Sequence, residues 1–380
     1  MYFQIIITGK CNFACTYCMQ KVKNNKTMNL ETVQKTISFI SSFFLKKRNA
    51  NESLSISISG GEVLLYFDIV EILVRTFYIS SRNNNFQVNF ELSTNASLFS
   101  IYHINFFIKN HIRLYIGFDG IRKIQNKNRI QKIGKNSFHT SIKGIELAYK
   151  NGIQKEFLTI NMVIAASNVE YLYKSYKYIS KKFPNAIISM NIAYNTEWNK
   201  KTVLMLENQL QKISTEYLKK IQDNIDYSIN LFDKQIISSI LQNVNCQSFC
   251  GGGKEAFSVT VDGNILPCGN FTSIGIDEQK ITLGTVFSGI TDERINIFQD
   301  KIVPLENNNC KLCNFSNRCR RFCPFVRFMA SGSEIEINEN YCTMSKTIIS
   351  VTDKFIEKLY TVDRKSFQQK YLININKRCN

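Results

Sequence analysis

Along the first half of the chain, apolar positions follow two alternating periods. Short runs rich in Ile, Val and Phe read as strands, at Tyr2–Thr8, Leu54–Ser59, Phe86–Leu92, Arg113–Gly117, Phe157–Val163 and Ile187–Ile192. Between them, segments near 30–48, 66–82, 98–110, 138–151 and 168–182 gather apolar residues on one face at helical spacing. Strands alternating with helices predict an α/β fold with a parallel sheet, either open or curled into a partial barrel. In such sheets ligands gather at the carboxyl ends of the strands. Past residue 198 the pattern changes. Residues 200–223 and 233–243 read as two helices of a connector. Phe257–Val261 and Ile265–Leu266 flank Asp262-Gly263, a hairpin turn. Residues 346–361 read as a closing helix before a polar tail. The expected division is 1–198, 199–243, 244–345 and 346–380. Trp198, at the first boundary, is expected to pack between domains.

Composition narrows the class. The 380 residues are 44% apolar, enough for a large core. No apolar run approaches the roughly 18 residues of a membrane span. The N-terminus has no charged and apolar signal regions, because cysteine chemistry begins at Cys11. A cytoplasmic chain without membrane association is expected. The formal charge of +18 is spread along the chain, with only short clusters such as Lys46-Lys47-Arg48 and Arg320-Arg321. That spread does not make a nucleic-acid footprint. It suits a solvated surface or an acidic peptide partner.

The twelve cysteines change the picture most. Three lie at 11–18, eight lie between Cys246 and Cys342, and Cys379 stands apart near the end. In a cytoplasmic chain such clusters indicate metal or redox cofactors rather than disulfides. Cys11, Cys15 and Cys18 follow the first strand at C-x3-C-x2-C spacing. Three thiolates do not close a structural zinc site, which takes four ligands. On a cubane iron–sulfur cluster they leave one iron open to a small molecule. A zinc site completed by other cysteines is the alternative.

This loop, with the aromatic Tyr17 before its third cysteine, resembles the signature of the radical S-adenosylmethionine (SAM) enzymes. The resemblance implies that the open iron chelates the amino and carboxylate groups of SAM. One β/α unit later, Ser59-Gly60-Gly61-Glu62 resembles the family's Gly-Gly-Glu loop, so Gly60, Gly61 and Glu62 are expected to hold the SAM amino group. Their glycines free backbone groups for close approach to a ligand; an ordinary turn is the alternative. Ser93-Thr94-Asn95-Ala96 resembles a Thr-Asn-Gly stretch, with Ala96 where glycine is usual, and implies a cofactor role for Thr94 and Asn95. Gly117-Phe118-Asp119-Gly120 resembles a Ser-x-Asp-Gly stretch whose serine touches the SAM ribose, and here Gly117 replaces it. Arg129 falls where relatives place an arginine near the SAM carboxylate. Val163 and Ile164 end the fifth strand, where the adenine packs.

The later cysteines run Cys246-x3-Cys250, Cys268, Cys310-x2-Cys313-x5-Cys319-x3-Cys323 and Cys342. From Cys250 onward they resemble the SPASM domain, the twin auxiliary-cluster module of radical SAM peptide-modifying enzymes. Spacing alone would also fit two zinc sites. By resemblance, one auxiliary cluster takes Cys246, Cys250, Cys268 and Cys323, and the other takes Cys310, Cys313, Cys319 and Cys342. The implied architecture is a partial (β/α)6 barrel of the radical SAM type followed by a small SPASM domain. The implied cofactors are three 4Fe-4S clusters and S-adenosyl-L-methionine.

In that family the reduced cluster donates an electron to SAM, yielding methionine and a 5′-deoxyadenosyl radical that removes hydrogen from an unactivated carbon. Auxiliary clusters can accept the electron left on an oxidised substrate. The resemblance thus implies oxidative modification of a peptide: a thioether or carbon–carbon cross-link, or formylglycine. Sulfatase-maturating relatives carry an aspartate base directly after the cysteine matching Cys268, and here that position is Gly269. The missing base favours maturation of a ribosomally made precursor peptide over anaerobic sulfatase maturation. The chain starts at the first barrel strand, so leader recognition is expected on the barrel or on a separate protein, with an acidic leader matching the positive charge. A flavodoxin- or ferredoxin-type electron donor completes the expected partners. A non-catalytic zinc-binding protein is the alternative of another class, resting on Gly117 and Ala96.

Overall fold

In the computed structural model, all residues are described except 21–24, 50–51, 135, 224, 243–250, 273–277, 303–309, 311, 317, 320–322, 332–337 and 373–380. Cys246, Cys250 and Cys379 lie outside the described residues. The chain forms two compact units. The first comprises Met1–Phe118, Gln125–Thr159 and Cys250–Lys301; the second comprises Asp119–Ile124, Ile160–Phe249 and Ile302–Asn380.

The first unit is built on β1 (Tyr2–Thr8), β3 (Leu54–Gly60), β4 (Val88–Thr94) and β5 (Arg113–Gly117), side by side and parallel. Against the other edge of β1 lies β9 (Ala256–Val259), also parallel, continued antiparallel by β10 (Asn264–Leu266), β11 (Gly284–Thr285) and β12 (Gly289–Ile290). The hairpin of the cysteine-rich region thus extends the N-terminal sheet.

Period-two alternation decides the two faces. Phe3, Ile5 and Ile7 of β1 are fully buried. Phe3 stacks on Phe257 at 5.2 Å and meets Phe39 and Phe43 of α1 (Leu30–Lys47) edge-on at 6.4 and 6.1 Å. Phe90 of β4 lies against Phe77 and Tyr78 of α2 (Phe67–Asn83). Most of the alternate residues are polar. Ser258, Gln4, Ser57, Glu91 and Arg113 fall in one row across β9, β1, β3, β4 and β5, on the face away from α1 and α2. A polar row in mid-sheet marks a face meant for ligand rather than core.

The expected strands are present within two residues. The expected Phe86–Leu92 strand runs instead over Val88–Thr94, because Phe86 is used in the preceding loop. Its ring packs edge-on against Phe44 at 5.0 Å and its N–H donates to the Ser81 carbonyl. The closing helix spans Glu339–Val362, seven residues longer at its start than its apolar pattern suggested; the Asn338 side chain caps it by accepting from the Tyr341 N–H. Among the short elements that were not expected are α4 (Arg122–Asn128) and the antiparallel pair β2 (Phe13–Cys15) and β6 (Arg129–Gln131).

The second unit contains most of β7 (Leu158–Ile164), with β8 (Ile187–Ile192) beside it, and the helices α6 (Leu172–Lys182), α7 (Lys200–Gln222) and α8 (Asn230–Gln242). Tyr217 of α7 stacks on Phe355 of the closing helix at 5.3 Å, and its hydroxyl and that of Tyr371 both donate to Asp233. Trp198 is buried within this unit, its indole N–H donating to the Ala193 carbonyl. No helix among the described residues is long and apolar enough to cross a membrane.

Phe3 joins α1, β1 and β9 through aromatic contacts. Truncation to alanine is expected to cost about 3–5 kcal/mol in a denaturant titration. A loss under about 1 kcal/mol would show that the Phe3–Phe257 stack does not hold β9 to β1.

Candidate active site

The carboxyl end of β1 turns at Thr8 into the three-cysteine loop. Thr8 is fully buried, its hydroxyl bonded to the Lys26 carbonyl and the Thr27 hydroxyl. From there the loop is clamped on two sides. On one side β2 pairs with β6, setting Cys15 opposite Arg129; Thr16 N–H donates to the Asn128 carbonyl and Lys132 N–H to that of Asn12. On the other side lies the Gly60-Gly61-Glu62 turn. Gly61 N–H donates to the Thr8 carbonyl and Glu62 N–H to the Lys10 carbonyl.

The two glycines serve this contact. A Cβ on Gly60, whose φ is +153°, would sit 2.4 Å from the Thr8 carbonyl oxygen. One on Gly61 would sit 2.2 Å from the Lys10 oxygen and 3.0 Å from Cys11 Cβ. No side chain fits at either position, so the turn lies backbone to backbone against the cysteine loop. The lack of a Cβ at both glycines is what allows this contact.

Glu62 is 0% exposed. One carboxyl oxygen accepts from the Thr94 hydroxyl at 2.7 Å and from Leu64 N–H at 3.2 Å; the other accepts from Asn95 N–H at 2.8 Å. Burial pushes its carboxyl above the usual carboxylate range, against the three hydrogen bonds that favour the charged form. The side chain therefore locks the turn after β3 to the turn after β4. Asn95 continues the chain inward. Its amide donates to Asn12 Oδ1 at 2.8 Å, and Asn12 donates to Ser97 at 2.9 Å, directly beside Cys11. Ala96 sits in the left-handed region, with φ +59° and full burial, which is why glycine is expected there.

Cys11, Cys15 and Cys18 are all partly exposed on this loop. The Phe13 N–H points at Cys11 Sγ at 3.3 Å, and the Cys18 N–H at the Cys15 carbonyl at 3.1 Å. Among the described residues no three His, Cys, Asp or Glu side chains gather closely enough to hold a single metal ion. A cubane asks for something else, since it binds each thiolate through a separate iron and so spreads its ligands. Three thiolates on one clamped loop, with an amide aimed at a sulfur, fit that demand.

Gly117 and Arg129 explain one another. A Cβ at Gly117 would lie 2.4 Å from Arg129 Nη1 and 3.0 Å from Cζ. The guanidinium is buried there, 5.5 Å from the Tyr17 ring centre. The missing serine is thus the space that Arg129 fills, beside the cysteine loop. This places a fixed cation where a carboxylate ligand could meet it. Asp119 and Val163 lie together in the second unit, where the Asp119 carboxylate accepts from Val163 N–H at 3.2 Å.

In the second unit, Cys310, Cys313 and Cys342 are near enough to influence one another; burial first, then those neighbouring thiols, raises the Cys342 thiol, against Lys346. The Cys313–Cys319 loop is tied to the closing helix, which carries Cys342, by a bidentate pair from Arg318 to Asp353 at 2.6 and 2.5 Å. Cys268 follows β10 in the first unit. Directly after it, a Cβ on Gly269 would lie 2.1 Å from Gln4 Oε1 and 2.8 Å from Ser258 Oγ. Gln4 in turn donates to Ser59 at 2.7 Å. The β2–β6 clamp and the Gln4 plug were not read from the sequence: the first is too short for periodicity, the second joins positions far apart in the chain.

Two substitutions test this geometry. Glu62→Gln puts an amide group among donors and is expected to cost about 1–3 kcal/mol of stability in denaturant; no loss would make the carboxylate a bystander. Gly117→Ala and Arg129→Ala are expected to couple by about 1 kcal/mol or more in a double-mutant cycle, because the first is harmful only while the guanidinium is present. Additive effects would refute the packing.

Residues 5–179 match the radical SAM superfamily. The chain is 24% identical over 328 residues to a cysteine-type anaerobic sulfatase-maturating enzyme of Clostridium novyi, covering 83% of this chain and 85% of that protein. It is 22% identical to the enzyme of the same name from Clostridium perfringens, over 88% of this chain and 91% of the other. Its fold is similar to that of native anSMEcpe with bound AdoMet, with a TM-score of 0.77 and 22% identity over 95% of this chain and 100% of the other. It is also similar to Streptococcus suis SuiB bound to its precursor peptide SuiA, at a TM-score of 0.61 and 16% identity over 90% of this chain and 75% of that one. The non-catalytic zinc reading gives way to these matches, and the domain implies an iron–sulfur cluster of the 4Fe-4S type. The clamped three-cysteine loop lies inside the matched stretch, so residues 5–179 form a radical SAM domain, the mark of an enzyme.

Proposed function

We propose that the enzyme oxidises a side chain of a ribosomally made precursor peptide, forming a thioether or carbon–carbon cross-link. The observation that carries this reading is Gly269. The position after Cys268 has no side chain, and the amide of Gln4 fills the space one would take. Gly269 supplies no base of the kind that formylglycine formation uses, and a side chain there would have to displace the Gln4 amide. Anaerobic sulfatase maturation is the second reading, favoured by the names of relatives that span 83% and 88% of the chain.

In this proposal Cys11, Cys15 and Cys18 hold the cluster that binds SAM. Bound together, the two supply a 5′-deoxyadenosyl radical. Gly60, Gly61 and Glu62 fix the backbone beside it, Thr94 and Asn95 brace that turn, Arg129 meets the SAM carboxylate, and Val163 lines the adenine. Cys246, Cys250, Cys268 and Cys323 hold one auxiliary cluster; Cys310, Cys313, Cys319 and Cys342 hold the other. The closeness of Cys310, Cys313 and Cys342 supports the second set. The domain divisions at 198, 243 and 345, a cytoplasmic location, a flavodoxin- or ferredoxin-type donor, and an acidic leader bound directly or through a separate protein belong to the same proposal.

Tandem mass spectrometry of peptides encoded beside the gene, co-expressed anaerobically, tests it. A peptide lighter by two hydrogens, with fragmentation blocked across one segment, is the expected result. Unmodified peptides together with an aldehyde on a co-expressed sulfatase would overturn it in favour of the second reading. Separately, Asp353→Asn is expected to loosen the Cys313–Cys319 loop and to lower iron retained per chain after desalting; unchanged iron would separate the ion pair from cluster binding.

A further inference from the structure

The polar row across the sheet raises a question that Gly269 sharpens. If no side chain after Cys268 can take a proton, another group must. Oxidative bond formation between a substrate carbon and a heteroatom breaks a C–H and an X–H bond and makes a C–X bond. One hydrogen atom leaves to the 5′-deoxyadenosyl radical, one electron to an oxidised iron–sulfur cluster, and one proton to a base. We infer that Glu91 is that base, with Tyr115 as its positioning residue. The inference rests on the proposed substrate oxidation.

Three observations support the assignment. First, Glu91 stands in the row Ser258–Gln4–Ser57–Glu91–Arg113, level with Gln4, the residue that fills the space above Gly269. Second, it is the one carboxylate of that row, on the sheet face not covered by α1 and α2. Third, its surroundings suit a base. The Tyr115 hydroxyl donates to it, Arg113 lies opposite, and Tyr2 is close by, hydrogen-bonded to Ser57 and near Cys268. Burial holds its carboxyl above the usual carboxylate range, with Arg113 and then Tyr115 acting against that rise. Burial also pushes Tyr2 up to about 12, so Tyr2 stays neutral and is no competing base. A carboxylate mid-sheet with one neutral donor on it would otherwise be a poor choice over a serine or valine.

The experiment has two arms. Difference infrared spectroscopy of wild type minus Glu91→Gln, titrated without substrate, is expected to show a carboxyl band that ionises above the ordinary glutamate range. Ionisation within that range would overturn the assignment. If Glu91→Gln does not fold, Tyr115→Phe is expected to move the same band to still higher pH, since it removes a hydrogen bond to the charged form; an unmoved band would overturn it. The second arm uses the substrate that the wild type modifies. Glu91→Gln is expected to keep releasing 5′-deoxyadenosine while modified product per 5′-deoxyadenosine falls about 10²-fold. Glu91→Asp should recover part of that loss. Gln4→Ala with Gly269→Asp, added to Glu91→Gln, should recover more, by restoring a carboxylate where the plug was. An unchanged product ratio in Glu91→Gln would overturn the inference. A wild type that modifies no peptide or sulfatase would sink the functional reading instead, and the infrared arm would still decide whether Glu91 is basic.

Discussion

The site depends on one backbone contact. The Gly60-Gly61-Glu62 turn lies against Thr8–Cys11 with two amide hydrogen bonds and no room for a Cβ on either glycine. This contact sets the height of the cysteine loop above the sheet. Glu62, buried beneath it, carries the same constraint to Thr94 and Asn95 through two hydrogen bonds. Asn95 returns it to Asn12. A closed circuit of hydrogen bonds thus joins the carboxyl ends of β1, β3 and β4. Buried networks of this kind are stiff when complete and costly when broken.

The same economy of space governs the departures from the family pattern. Gly117 gives way to Arg129, and Gly269 gives way to Gln4. Each absent side chain is matched by a present one from another element, so neither departure is a vacancy. The polar row that includes Gln4 and Glu91 then reads as a working face, set between the cysteine loop at one end of β1 and Cys268 near its start.

Much of this was legible in the sequence. The strands announced themselves by apolar runs, and the family resemblance of the three-cysteine loop and the turns after it pointed to the chemistry. The turns after β1, β3 and β4 were found because their residues are adjacent in the chain. What stayed hidden depended on distance or brevity. The β2–β6 ladder has three residues a side, too few for any period to show. Phe86 looked like strand because it is apolar, yet its ring closes a loop against Phe44. The partners of Gly117 and Gly269 could not be guessed, since a glycine says that space is needed without saying for what.

The central claim is that the clamped loop holds the cluster that cleaves SAM. The most direct measurement is 5′-deoxyadenosine formed from SAM and dithionite by anaerobically reconstituted protein, compared with a variant carrying Cys11→Ala, Cys15→Ala and Cys18→Ala. The account predicts cleavage by the wild type, none by the variant, and a loss of about four irons per chain in the variant. Equal cleavage by both, or a fully iron-loaded wild type that leaves SAM intact, would contradict it.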